Sequence, residues 1–146
     1  MRKLLLLALL GIAGFAAPST AETAVQIATR WGIVGIWQRD CATPVSRSND
    51  QQAFVIQNGK LYLDRSTGDT HDSNPITAAE ITARGELDLR ATLTDYKQNR
   101  QNVHAMSNDG RDHIVVNRNV DTDEDTVRNG ILLSDGQPTP WMTRCD

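Results

Sequence analysis

Glu86-Leu87-Asp88-Leu89-Arg90-Ala91-Thr92-Leu93-Thr94 alternates apolar and polar residues without a break. Successive side chains of an extended chain point to opposite faces, so Leu87, Leu89, Ala91 and Leu93 share one face and the charged and hydroxyl residues share the other. This is a half-buried strand, and the pattern continues around it. From Ile33 onward apolar residues alternate instead of recurring at helical spacing, and Gly, Asn and Asp break the runs at fairly even intervals. Such a chain folds as an all-β sandwich or barrel.

Two hairpins fix a register. With Asn58-Gly59 as a two-residue turn, Ile56 falls opposite Leu61 and Phe54 opposite Leu63 on one face, leaving Val55 opposite Tyr62 on the other. With Asp109-Gly110 as a second such turn, Ala105 pairs with Ile114 and Val103 with Val116. Strands are predicted over 33–40, 52–57, 60–66, 76–84, 86–94, 100–108, 111–119 and 129–134, with a last extended piece at 139–145. The expected architecture is an eight- to nine-stranded antiparallel meander barrel, with a two-sheet sandwich as the alternative. Glu22 to Arg30 is rich in helix formers and is expected to make one or two helical turns.

The start of the chain carries Arg2-Lys3, an apolar run from Leu4 to about Ala17 and the small residues Ser19-Thr20-Ala21. This is the three-part layout of a secretory signal, so residues 1–21 are expected to be removed and 22–146 to form a single domain, periplasmic or secreted. Losing Arg2 and Lys3 moves the formal net charge from -3 to -5. That acidity argues against nucleic acid as a partner, and no second apolar run is long enough to span a bilayer. In an oxidising compartment Cys41 and Cys145 are expected to form one disulfide, the alternative being two free or metal-binding thiols.

Gly35-Ile36-Trp37 opens the first predicted strand, and Trp141-Met142-Thr143-Arg144-Cys145 closes the last. This pairing resembles the lipocalin pattern. In those barrels a Gly-x-Trp on the first strand packs beneath an arginine near the end of the last strand. The resemblance implies a lipocalin-like barrel whose closed end is built from Gly35, Trp37 and Arg144, with the guanidinium stacked on the indole. An ordinary core tryptophan is the alternative reading of Trp37. The stretch Asp40-Cys41-Ala42-Thr43-Pro44-Val45-Ser46 also resembles small exported proteins of alphaproteobacteria.

The predicted inward set is Phe54, Ile56, Leu61, Leu63, Ala79, Ile81, Leu89, Ala91, Val103, Ala105, Ile114 and Val116. Its small members leave room for one apolar guest or for bulky neighbours to fill the interior. Trp31 and Trp141 are placed at a ligand entrance or as a plug.

Motifs for other chemistry are missing. There is no Gly-x-Ser-x-Gly elbow, phosphate loop or His-Glu-x-x-His helix, and no enzymatic activity or cofactor is expected. Asp121-Thr122-Asp123-Glu124-Asp125 lacks the glycine and twelfth-position glutamate of a calcium loop and reads as a solvated acidic loop. His104 and His113 are expected on one exposed face, without a third zinc ligand, so no metal site is expected. Two functions follow: noncovalent carriage of a small apolar ligand, or engagement of an envelope protein, as a binding module or inhibitor, through the loops at 44–51 and 121–125.

Overall fold

The computed structural model describes residues 20–146, so residues 1–19 of the predicted signal segment lie outside the described residues. One helix, α1 (Ala24–Trp31), precedes the strands β1 (Gly35–Gln38), β2 (Gln51–Gln57), β3 (Lys60–Ser66), β4 (His71–Ile81) and β5 (Leu87–Leu93). They continue as β6 (Gln98–Met106), β7 (Asp112–Asn119), β8 (Glu124–Arg128), β9 (Ile131–Leu132) and β10 (Thr143–Arg144). All ten lie in one antiparallel sheet in the order β10-β1-β2-β3-β4-β5-β6-β7-β8-β9.

The sheet curls into a half-barrel. It is not the closed barrel of eight or nine strands that the alternation predicted. A single backbone pair spans the gap: Asp112 and Met142 exchange hydrogen bonds of 3.0 and 2.7 Å, outside any ladder. A closed barrel needs a continuous staggered ladder at that place. Here β8 and β9 continue past β7 instead.

The alternation in β5 is reproduced, with Leu87, Leu89, Ala91 and Leu93 buried and the residues between them half-buried. The Asn58-Gly59 turn holds with both residues left-handed at φ 51° and 73°, and it sets the predicted pairs Phe54–Leu63, Val55–Tyr62 and Ile56–Leu61. Ile56, next to the turn, is nevertheless 44% exposed. Three other predicted boundaries shift. β4 begins at His71 and carries Pro75 within it, pairing first with β3 and later with β5. The predicted strand 129–134 contains an Asn129-Gly130 turn, with φ of 52° and 73°, that separates β8 from β9. The predicted acidic loop is strand from Glu124 on.

The second hairpin departs from the predicted register. Ser107 to Arg111 closes with the amide of Gly110 on the Ser107 carbonyl and that of Ser107 on the Arg111 carbonyl. This is a three-residue loop with a left-handed glycine, one residue longer than the predicted turn. Ala105 therefore pairs with His113 and His104 with Ile114, and an irregularity beside Val103 restores the predicted Val103–Val116 pair.

α1 covers part of the inner face. Thr23 and Gln26 form a reciprocal capping box, and Gly32, at φ 96°, ends the helix in the left-handed conformation that glycine adopts without a side-chain clash. Ala28 and Ile33 pack with Leu61, Leu63, Ile76, Leu87 and Leu89 in one core that includes Trp37 and Phe54.

Cys41 and Cys145 are bonded with their Cα atoms 5.4 Å apart across 104 residues of sequence. The bond lies beside the β1–β10 ladder, where Trp37 pairs with Arg144 and the Cys145 amide donates to the Ile36 carbonyl at 2.8 Å. Crosslinking so long a loop restricts the unfolded chain strongly. Cys41→Ser and Cys145→Ser should each cost about 2–4 kcal/mol, and the double variant should cost no more than either single one. Urea titration of the four proteins checks this, and additive losses would contradict a shared crosslink.

Candidate functional site

One end of the half-barrel is built around Trp37. The Trp37 indole N–H donates to the Ile33 carbonyl at 2.7 Å, and the Arg144 guanidinium carbon lies 5.3 Å from the centre of the Trp37 ring. Arg144 also donates to the Val34 carbonyl. A Cβ on Gly35 would stand 2.7 Å from Arg144 Nη2, so the arginine lies flat across the glycine only because no side chain is there. Gly35, Trp37 and Arg144 thus sit together.

The predicted inward residues divide into three groups. Phe54, Leu61, Leu63, Leu89 and Ala91 are buried in the core, with Ala79 and Ile81 packed against it. There α1 occupies the space that a central apolar guest would need. Val103, Ala105 and Val116 face the other side, because Val103 pairs with Asp88 whereas Leu89, on the inner face, pairs with Asn102. Ile114 borders an open cavity on the inner face, Leu61 also lines a second one beside the start of α1, and Ile56 is exposed next to its turn.

The shifted register turns His104 and Asp112 inward. His104 is 0% and Asp112 2% exposed, and His104 Nδ1 stands 2.9 Å from Asp112 Oδ2. A carboxylate oxygen accepts, so Nδ1 carries the shared proton and Nε2 is left buried without a partner. The arrangement has the geometry of an oriented imidazole base. It is sealed, however: Nε2 is buried, the ring meets Phe54 edge-on at 5.5 Å between centroids, and no substrate can reach it in this conformation. The pair is a buried polar link between β6 and β7. The predicted exposed pair of histidines is therefore corrected, since His113 lies on the opposite face.

The cavity beside Ile114 has a volume of about 240 Å³. Ile114, Val127, Leu132, Pro140 and Met142 supply its apolar wall, and Gln52, Asp112, Asn117, Thr126 and Thr139 its polar one. β7 and β8 form one side. The C-terminal segment forms the other, held by the Thr139 hydroxyl on the Ile114 carbonyl at 2.8 Å and by the Met142–Asp112 pair.

Beyond the cavity the inner face is polar. Arg65 Nε donates to Asp72 Oδ1 at 2.9 Å, and this guanidinium holds the Asp72 carboxyl below its ordinary value. Asn117 Nδ2 donates to Asn102 Oδ1 at 2.6 Å, and Arg100 Nη2 donates to Asn117 Oδ1 and, at 3.1 Å, to Thr126 Oγ1. Burial lowers the Arg100 pKa, and the charge of Arg65 lowers it further. These side chains occupy inward positions of strands whose apolar residues sit elsewhere, so hydrophobic patterning overlooks them. A larger cleft of about 420 Å³ opens at the other end, between Arg65, Asp72, Asp95 and Tyr96, with polar and apolar surface in about equal parts.

The predicted contact loops are tied down internally. Asn49 Nδ2 donates to the carbonyls of Asp40 and Thr43 at 2.9 Å each, and Asp125 accepts from Arg118 and Arg128. Among the described residues no group of three or more His, Cys, Asp or Glu could hold a metal, and no helix is long and apolar enough to cross a membrane. No family model, curated protein or solved structure matches the chain.

Trp141 lies outside the cavity rather than at its mouth. Its ring stacks on His113 at 3.8 Å with Arg111 at 5.5 Å, and His113 Nδ1 stands 3.2 Å from Thr139 Oγ1. Because the Thr139 hydroxyl already donates to Ile114, the histidine donates to it. Burial holds the His113 pKa below its ordinary value of 6.5, against the opposing pull of Asp112, and His104 lowers it further. A depressed histidine contributes stability above the unfolded-state pKa that is lost as pH falls through the folded-state pKa. The wild-type melting temperature should therefore fall more between about pH 7 and pH 5 than that of His113→Gln, by calorimetry. Equal falls would show that His113 does not couple the C-terminal segment to pH.

Proposed function

We propose that this protein is an exported carrier that holds a small, largely apolar ligand noncovalently in the cavity between β7, β8 and the C-terminal segment. The observation that carries the reading is the cavity itself: an aliphatic wall with a few convergent polar groups, the usual make-up of a small-molecule site. The leader-like start of the chain and the Cys41–Cys145 bond support placement in a periplasmic or extracellular compartment. A volume of about 240 Å³ lies just below the usual range for such sites, which favours a short chain over a fused-ring lipid.

The test is direct titration with octanol, followed by the amide signals of Ile114, Val127 and Met142. Saturable shifts confined to these residues are expected. Leu132→Trp, which places an indole at the partly exposed rim, should weaken binding at least about tenfold, a loss of ~1.4 kcal/mol, with little change in melting temperature. Absence of saturation in the wild type at millimolar octanol would sink the reading.

A further inference from the structure

Arg100 differs from the other arginines of the inner face. Arg65 is neutralised by Asp72, whereas no carboxylate lies within salt-bridge distance of Arg100 among the described residues. Arg100 points inward, since it pairs with buried Ala91 on one side and with Asn119 on the other. Its Nη2 is held by Asn117 and Thr126, and both of these residues form part of the cavity wall. Nε and Nη1 have no hydrogen-bond partner among the described residues and are not among the buried unsatisfied atoms, so they remain open to solvent or ligand. A partly desolvated guanidinium, positioned by two neutral side chains and presenting unused donors beside an apolar cavity, is built to meet an anion.

We propose that Arg100 binds the carboxylate of an amphipathic ligand whose short aliphatic chain fills the adjacent cavity. This rests on the carrier reading above and adds the chemical class of the ligand. Charge sets the ligand's direction. Asp112 lies at the far end of the cavity, five positions before Asn117 on β7, and would repel a carboxylate there. The head group therefore lies at the Asn117–Thr126 end and the methyl terminus points toward Met142. The lowered Arg100 pKa has the same physical origin, a cation that burial and Arg65 penalise and that a bound anion would relieve.

The experiment compares octanoate, octanol and octylammonium, matched in chain length, on the wild type, Arg100→Gln and Arg100→Lys. Calorimetry gives affinity, and circular dichroism confirms that each variant is folded. The wild type should bind octanoate at least about tenfold more tightly than octanol, and octylammonium most weakly. Arg100→Gln should abolish the preference, bringing octanoate affinity down to that for octanol in the same variant. Arg100→Lys should keep part of the preference, because it retains charge but not the fork of donors. Equal affinity for octanoate and octanol in the wild type, or a preference that survives in Arg100→Gln, overturns the proposal while the carrier reading stands. Failure of all three ligands to bind overturns both.

Discussion

The attachment of the C-terminal residues is the constraint on which the site depends. A curled sheet that does not close has two edges, and unpaired edges must be covered. Here β10 lies along β1, fastened by the disulfide and by Arg144 over Trp37. Upstream of it, Thr139 and Met142 hold the chain against the start of β7, where β8 does not reach. The same segment thus finishes the fold at one edge and walls the cavity at the other. Loosening it would expose the apolar surface of Ile114 and Val127 together with the buried Asp112.

The inner face has two chemistries because two different solutions fill it. Under α1, aliphatic side chains pack against Ala28 and Ile33. Away from the helix, polar side chains bond to each other across strands, Arg65 with Asp72, Asn102 with Asn117 and His104 with Asp112, while His104 Nε2 and Asp112 Oδ1 stay buried without a partner. Buried polar groups persist when they are hydrogen-bonded and are costly when they are not. Their pairing across strands also ties the register of β6 and β7 to the interior.

Much of the fold was legible because local chemistry and face pattern agreed. β5 alternates strictly, and Asn58-Gly59 has the turn residues its geometry demands. Closure was overestimated, since alternation describes the faces of strands and says nothing about whether the last ladder is completed. Asn129-Gly130 carries the same turn signature as Asn58-Gly59, but the apolar run Ile131-Leu132-Leu133 beside it concealed the break. β6 was turned over for a physical reason. Its apolar Val103 faces Asp88 and Val116, while its polar Arg100, Asn102 and His104 face inward, so hydrophobicity pointed to the wrong face. The candidate site suffered most, because both its arginine and its C-terminal wall lie where patterning expects solvent or loop.

The order of strands has a consequence for how the chain reaches this structure. From β1 to β9 every strand pairs with its neighbour in sequence, so those ladders join residues that are close along the chain. Such contacts form quickly, since little loop entropy is lost in making each one. The β1–β10 ladder and the Cys41–Cys145 bond are the exceptions, separated by about the whole length of the domain. The topology thereby separates contacts that are local along the chain from the one long-range capture of the tail. The cavity wall arrives only with the tail, so a chain that has made its hairpins does not yet enclose the cavity.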